Sequence, residues 1–84
     1  MSRLPENPTP LKVRVNGCSQ PVRLTWPSGR TECVVEVVHR WRIDDDWWRV
    51  PINRTYYKVL TPTRLLEVYV YLNTGDWFLE RVVD

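Results

Sequence analysis

The chain has 84 residues and a formal charge of +2, with ten arginines against two lysines. Only one domain fits that length, and a chain this short buries about 60–65% of the surface its unfolded form exposes, so large aromatics are an effective filling for a thin core. Alanine is absent while Val, Ile, Thr, Tyr, Phe and Trp occupy 32 positions, which excludes a helical protein and points to β structure; the small net charge does not by itself demand a polyanionic partner.

Residues 1–10 hold Pro5, Pro8 and Pro10 and almost nothing apolar. They cannot donate a regular ladder, so the reading is a disordered arm followed by a β domain over residues 11–84. Leu11, Val13 and Val15 alternate with Lys12, Arg14 and Asn16, a half-buried strand ending at the turn signal Asn16-Gly17. Val22, Leu24 and Trp26 then alternate with Arg23 and Thr25 until Pro27-Ser28-Gly29. Arg14 and Arg23 fall on the solvent face. From Thr31 to Asp44 one register carries Cys33, Val35, Val37, His39, Trp41 and Ile43. Val34, Val35, Val37, Val38 and Trp41 also fit a helical stripe, but the β-branched density favours a long strand, bent or bulged partway, with Cys33 as a small core residue.

Asp44, Asp45 and Asp46 are poor strand formers and good turn formers, so they are expected at a hairpin turn. Trp47–Val50 returns as a short strand, and Pro51 ends it or places it at an edge. A connection over 52–54 leads to a strand over 55–61, closed by Pro62. Leu66, Val68, Val70 and Leu72 alternate with Glu67, Tyr69 and Tyr71. Asn73-Thr74-Gly75-Asp76 forms a loop, and Trp77–Val83 closes the domain. Six to seven strands with connections this short pair antiparallel. The predicted fold is all-β, a single small antiparallel domain in the form of a curled sheet or an SH3-like or OB-like barrel that hides its edges.

No apolar run long enough to span a membrane and no charged-then-apolar leader occurs. The expectation is a cytoplasmic monomer without membrane contact, in which Cys18 and Cys33 stay reduced. A nucleophilic or acid–base site needs several groups held together, and His39 is the single histidine. Neither a zinc-ligand spacing nor a glycine-rich phosphate loop is present. The aspartates read as a solubilising hairpin tip rather than a cation site. These readings point away from an enzyme, a metal site and a cofactor.

The most informative stretch runs from His39 to Arg49, with three tryptophans and three arginines in eleven residues. Adjacent pairs, Trp47-Trp48 here and Tyr56-Tyr57 further on, cannot both face one side of a strand, so one member of each leaves the core unless a bulge intervenes. The outward members would lie near Arg40, Arg42, Arg49 and Arg54. Such a surface can stack single-stranded bases while guanidinium groups take phosphates. Equally, the arginines can cover the rings by cation–π stacking and stabilise a small barrel. The first reading makes Arg40, Arg42, Trp47, Trp48, Arg49, Arg54, Tyr56 and Tyr57 the candidate nucleic-acid site. Its rival is a protein-interaction module using an open strand edge or an exposed aromatic patch. Residues 1–43 carry +4 and residues 44–84 carry −2, which sets an arginine-rich half against an acidic one.

The run Pro21-Val22, Leu24, Trp26, Gly29-Arg30, Val35 to Val38, Trp41, Trp47-Trp48-Arg49, Arg54, Tyr56-Tyr57 and Val59 resembles a small bacterial family designated a domain of unknown function, DUF6504, over residues 11–84. In the second half, Arg42-Ile43, Trp47-Trp48, Arg54, Tyr56-Tyr57 and Thr74-Gly75-Asp76-Trp77-Phe78-Leu79 are similar to the C-terminal module of the inactive Y-family polymerase homologue of bacterial mutagenesis cassettes. The resemblance implies an accessory module associated with translesion synthesis or DNA repair, in contact with DNA or a polymerase or repair protein, and it implies no catalytic residues. The chain departs from that pattern in lacking an attached polymerase-like region.

Overall fold

The structure is a computed structural model that describes residues 9–47 and 50–83, with the backbone alone for 45–47 and 50–52. Its seven strands are β1 (Thr9–Val15), β2 (Pro21–Thr25), β3 (Thr31–Cys33), β4 (Glu36–Trp47), β5 (Val50–Leu60), β6 (Leu65–Tyr71) and β7 (Trp77–Val82). They form one sheet in the order β3-β2-β1-β7-β6-β5-β4, antiparallel at every pairing. The all-β class with short antiparallel connections is therefore observed. Among the described residues no helix is long and apolar enough to cross a membrane.

The sheet curls into a half-barrel because one stretch of chain serves both of its ends. β3 pairs with β2, then the Val34 N–H donates to the Val22 carbonyl at 2.9 Å and the Val35 N–H donates to the Leu60 carbonyl at 2.7 Å. β4 goes on to pair with β5. The long strand expected over 31–44 is thus two strands with a change of partner at Val34–Val35. Inside the curl lie Leu11, Leu24, Tyr57, Val59, Leu66, Val68 and Val70, with Trp26, Val37, Trp77 and Leu79 packed against them.

Two of the connections require glycine. Gly29, with φ +95°, closes a tight turn in which the Trp26 N–H donates to the Arg30 carbonyl, and Gly75, with φ +80°, does the same between β6 and β7. At the β1–β2 loop the positive φ lies at Ser19 rather than Gly17, because the Asn16 side chain accepts from the N–H groups of Cys18 and Gln20 and sets the turn.

Several expectations are corrected. The aspartates do not turn. Asp44, Asp45 and Asp46 continue β4 opposite Asn53, Ile52 and Pro51, on an arm that reaches past the end of β6 at Tyr71. Among the described residues this part of β4 is paired on one side only, which asks for no buried face and outweighs the low strand preference of aspartate. Residues 52–54 belong to β5 instead of forming a connection, and Thr9 and Pro10 already pair with β7. Cys33 is exposed rather than buried. From Glu32 and Val34 the inward positions shift to Val37 at the partner change and shift again at a bulge between Val37 and His39, so strict alternation fails twice in this segment.

Candidate nucleic-acid interface

The outward face of the sheet carries a cross-strand aromatic row. Trp41 pairs with Tyr56, Tyr56 with Tyr69, Tyr69 with Phe78 and Phe78 with Pro10. Directly paired residues share a face, so these five side chains line up across β4, β5, β6, β7 and β1. Trp41 stacks on Tyr56 with centroids 5.3 Å apart and planes 8° from parallel, Tyr56 meets Tyr69 at 5.1 Å, and Tyr69 meets Phe78 at 5.6 Å. His39 extends the row by stacking on Trp41 at 5.3 Å. The bulge before His39 is what turns both residues outward.

Arg54 caps this row. Its guanidinium lies 5.3 Å from the Tyr69 ring and 5.1 Å from the Tyr71 ring, and its Nη1 donates to the Tyr56 hydroxyl at 2.9 Å. Burial lowers the Arg54 pKa, but the hydrogen bond to Tyr56 and the nearby tyrosines outweigh it and hold it above the ordinary value. Burial likewise pushes the Tyr69 phenol up to about 12, with Tyr71 adding to the shift and Arg54 opposing it. Tyr69 is only 3% exposed and Tyr56 8%. The centre of the row is closed to a base; its ends, at His39 and Trp41 on one side and Phe78 and Pro10 on the other, reach solvent.

The candidate residues from the sequence are accordingly separated. Tyr57 points into the core, 5% exposed, with its hydroxyl donating to the Ser19 carbonyl at 3.3 Å and its ring 5.4 Å from Trp77. Tyr56 and Arg54 are engaged with one another on the outward face. Arg40 and Arg42 are exposed opposite Tyr57 and Thr55, on the other side of the sheet from Tyr56, and Arg42 pairs with Asp44 at 2.9 Å. No single surface therefore unites Arg40, Arg42, Arg54, Tyr56 and Tyr57. Trp48 and Arg49 lie outside the described residues, as does the side chain of Trp47.

A different surface gathers cations. On the outward side of β1 and β2, Arg14 stands directly opposite Arg23, and Lys12 stands opposite Thr25. All three cations are exposed. Among the described residues no carboxylate pairs with them, whereas Arg30 and Arg64 share Glu32, and Lys58 and Arg81 share Glu67. Like charges directly opposite on an antiparallel pair oppose folding. Lys12, Arg14, Arg23, Thr25 and Val13 line an open depression of about 380 Å³. Lys12 also lines a neighbouring groove of about 560 Å³ with Pro10, Phe78 and Asp76, so Lys12 borders both the Phe78 end of the aromatic row and the depression that holds the Arg14–Arg23 pair. The signal for this site was present in the sequence: a hairpin around Asn16 with Arg14 and Arg23 on its solvent face brings the two strands' cations together.

Trp26 shows how the other arginines are used. The Arg30 and Arg64 guanidinium groups lie 5.4 and 5.5 Å from its ring, and both donate to one Glu32 oxygen, at 2.6 and 3.0 Å. Burial pushes the Glu32 carboxyl up, but Arg30, Thr61 and Arg64 outweigh it and hold the group below its ordinary value. This cluster fastens the turn after β2 to the β5–β6 turn. Among the described residues no group of His, Cys, Asp and Glu side chains is placed to hold a metal ion. Comparison of the chain with family models, curated proteins and solved structures finds no match to any of them.

Proposed function

We propose that the protein is a binding module that contacts single-stranded nucleic acid along the outward face of β1 and β2, with Lys12, Arg14 and Arg23 on phosphates and the half-buried Phe78 ring meeting a base. The observation that carries this reading is the Arg14–Arg23 pair, two exposed like charges held opposite one another and left without a carboxylate among the described residues. Backbone phosphates relieve that repulsion, and a flanking ring adds sequence-tolerant stacking. The resemblance to a repair-associated polymerase module supports DNA as the polyanion, and an accessory role beside a polymerase or repair protein.

The test is fluorescence anisotropy of a labelled oligothymidylate titrated with the full chain over a range of salt. Three phosphate contacts to a single strand give a slope of log K against log salt of about −2. A flat salt dependence, or no binding at millimolar protein and low salt, would count against the reading. The rival, a protein-interaction module, is favoured by one specific observation, the 12-residue β4, which is paired on one side only among the described residues.

A further inference from the structure

Among the described residues β4 ends the sheet, and its outer edge offers backbone donors and acceptors to another strand. Its two halves are defended differently. The bulge between Val37 and His39, with Val38 exposed, interrupts the first part, whereas from His39 to Trp47 the ladder with β5 runs unbroken. That uninterrupted segment has Ile43 at its centre. Cationic residues, Arg40 and Arg42, occupy the half before Ile43, and acidic residues, Asp44, Asp45 and Asp46, occupy the half after it.

A strand that is basic in one half and acidic in the other is complementary to itself when run antiparallel. We infer that the β4 edge pairs with the β4 edge of a second copy of this chain, about a two-fold axis at Ile43. A two-fold perpendicular to the sheet keeps each residue on its own face, so only pairings between residues an even number apart are open. Centring on Ile43 sets Arg42 against Asp44 and Arg40 against Asp46 of the second copy, with the half-exposed Ile43 side chains meeting at the axis. Centring on Arg42 brings two arginines together at the axis, and centring on Asp44 brings two aspartates together. Of these registers, the one at Ile43 alone has no like-charged pair and uses the whole bulge-free segment.

The intrachain pair fits an exchange of partners. Arg42 and Asp44 are both 56% exposed and already meet at 2.9 Å within one chain, so the side chains need little rearrangement to take the same groups from the second copy. The axis also leaves the outward faces of both copies on the same side of the joined sheet. This inference does not depend on nucleic-acid binding.

The experiment is sedimentation equilibrium of the full chain from micromolar to millimolar concentration, with Arg42→Asp and Asp44→Arg as single variants. Both positions are exposed, and circular dichroism and thermal melts check that each variant folds. The parent chain is expected to dimerise with rising concentration. Each single variant sets like charges opposite one another and should dimerise at least about tenfold more weakly. Mixed together, the two variants are complementary. The R42D chain carries aspartate at both positions and the D44R chain carries arginine at both, so each pair across the axis is opposite in sign and the mixture should recover a one-to-one dimer. A parent chain that stays monomeric at millimolar concentration, single variants that dimerise like the parent, or a mixture that stays monomeric would each overturn the inference.

Discussion

Changing Arg14 to glutamate separates a binding role from a structural one, because the two predict opposite signs. In the folded chain Arg14 faces Arg23 across β1 and β2, and both side chains are exposed. Glutamate at this position replaces a repulsion by an attraction, which is worth about 0.5 kcal/mol in favour of folding for a cross-strand pair. In a domain of this size that raises the melting temperature by about 2–4 °C. Binding should move the other way. Arg14 no longer takes a phosphate and Arg23 is neutralised by its new neighbour, leaving Lys12, so the salt slope falls from about −2 towards about −0.7. Affinity at low salt should drop by about a hundredfold or more, the loss of two charge-assisted contacts. Thermal melts and oligothymidylate anisotropy on the same preparation decide it. A less stable variant that binds as tightly as the parent would refute the assignment of these cations to phosphate.

Three further outcomes follow from the rest of the sheet. Arg54→Ala removes the cap from Tyr69 and Tyr71 and the hydrogen bond to Tyr56, so denaturant unfolding should show a loss of about 1–2 kcal/mol with oligothymidylate affinity unchanged. The Glu32 carboxyl is held below its ordinary value of 4.5, so its stabilisation is complete above that value and is lost as the pH falls through the lowered folded value. Glu32→Gln should flatten this acid loss in unfolding curves. The Tyr69 phenol is pushed up to about 12 from an ordinary value of 10, so its contribution is complete below pH 10 and is lost as the pH rises towards 12. Tyrosinate absorbance should show an ionisation near pH 12 that Tyr69→Phe removes.

The strands that could be read from the sequence are those that carry no extra residue of their own within the core segment; in β6 the register shift against β7 falls on the β7 side, at Glu80. Val22 and Leu24, or Leu66, Val68 and Val70, alternate in the sequence as they do in the sheet. The segment from Thr31 to Trp47 could not be read that way, because the change of partner at Val34–Val35 and the bulge before His39 each invert the faces. Two inversions place Val34, Val37 and Arg40 on one side, three residues apart, which is why a helical stripe fitted the valines. The aspartates misled for a different reason: turn preference is a local property, and the register of β4 against β5, its one partner strand among the described residues, overrides it. The site was harder still. Arg54 is a cap over tyrosines only because β5 sets it opposite Tyr71, and Tyr57 is a core residue only because the sheet closes over it. Arg14 and Arg23 were visible as solvent-facing residues, but their direct opposition is a matter of register between two strands.

The assignment of nucleic-acid contact to β1 and β2 stands or falls on titrating oligothymidylate into the isotope-labelled chain and following amide and indole resonances at low and moderate salt. Shifts are expected at Lys12, Arg14, Arg23, Thr25 and around Phe78, reversed by added salt, while Tyr57 and the Trp26 indole stay still. Shifts confined to Trp47, Trp48 and Arg49, or none at millimolar oligonucleotide, would contradict it.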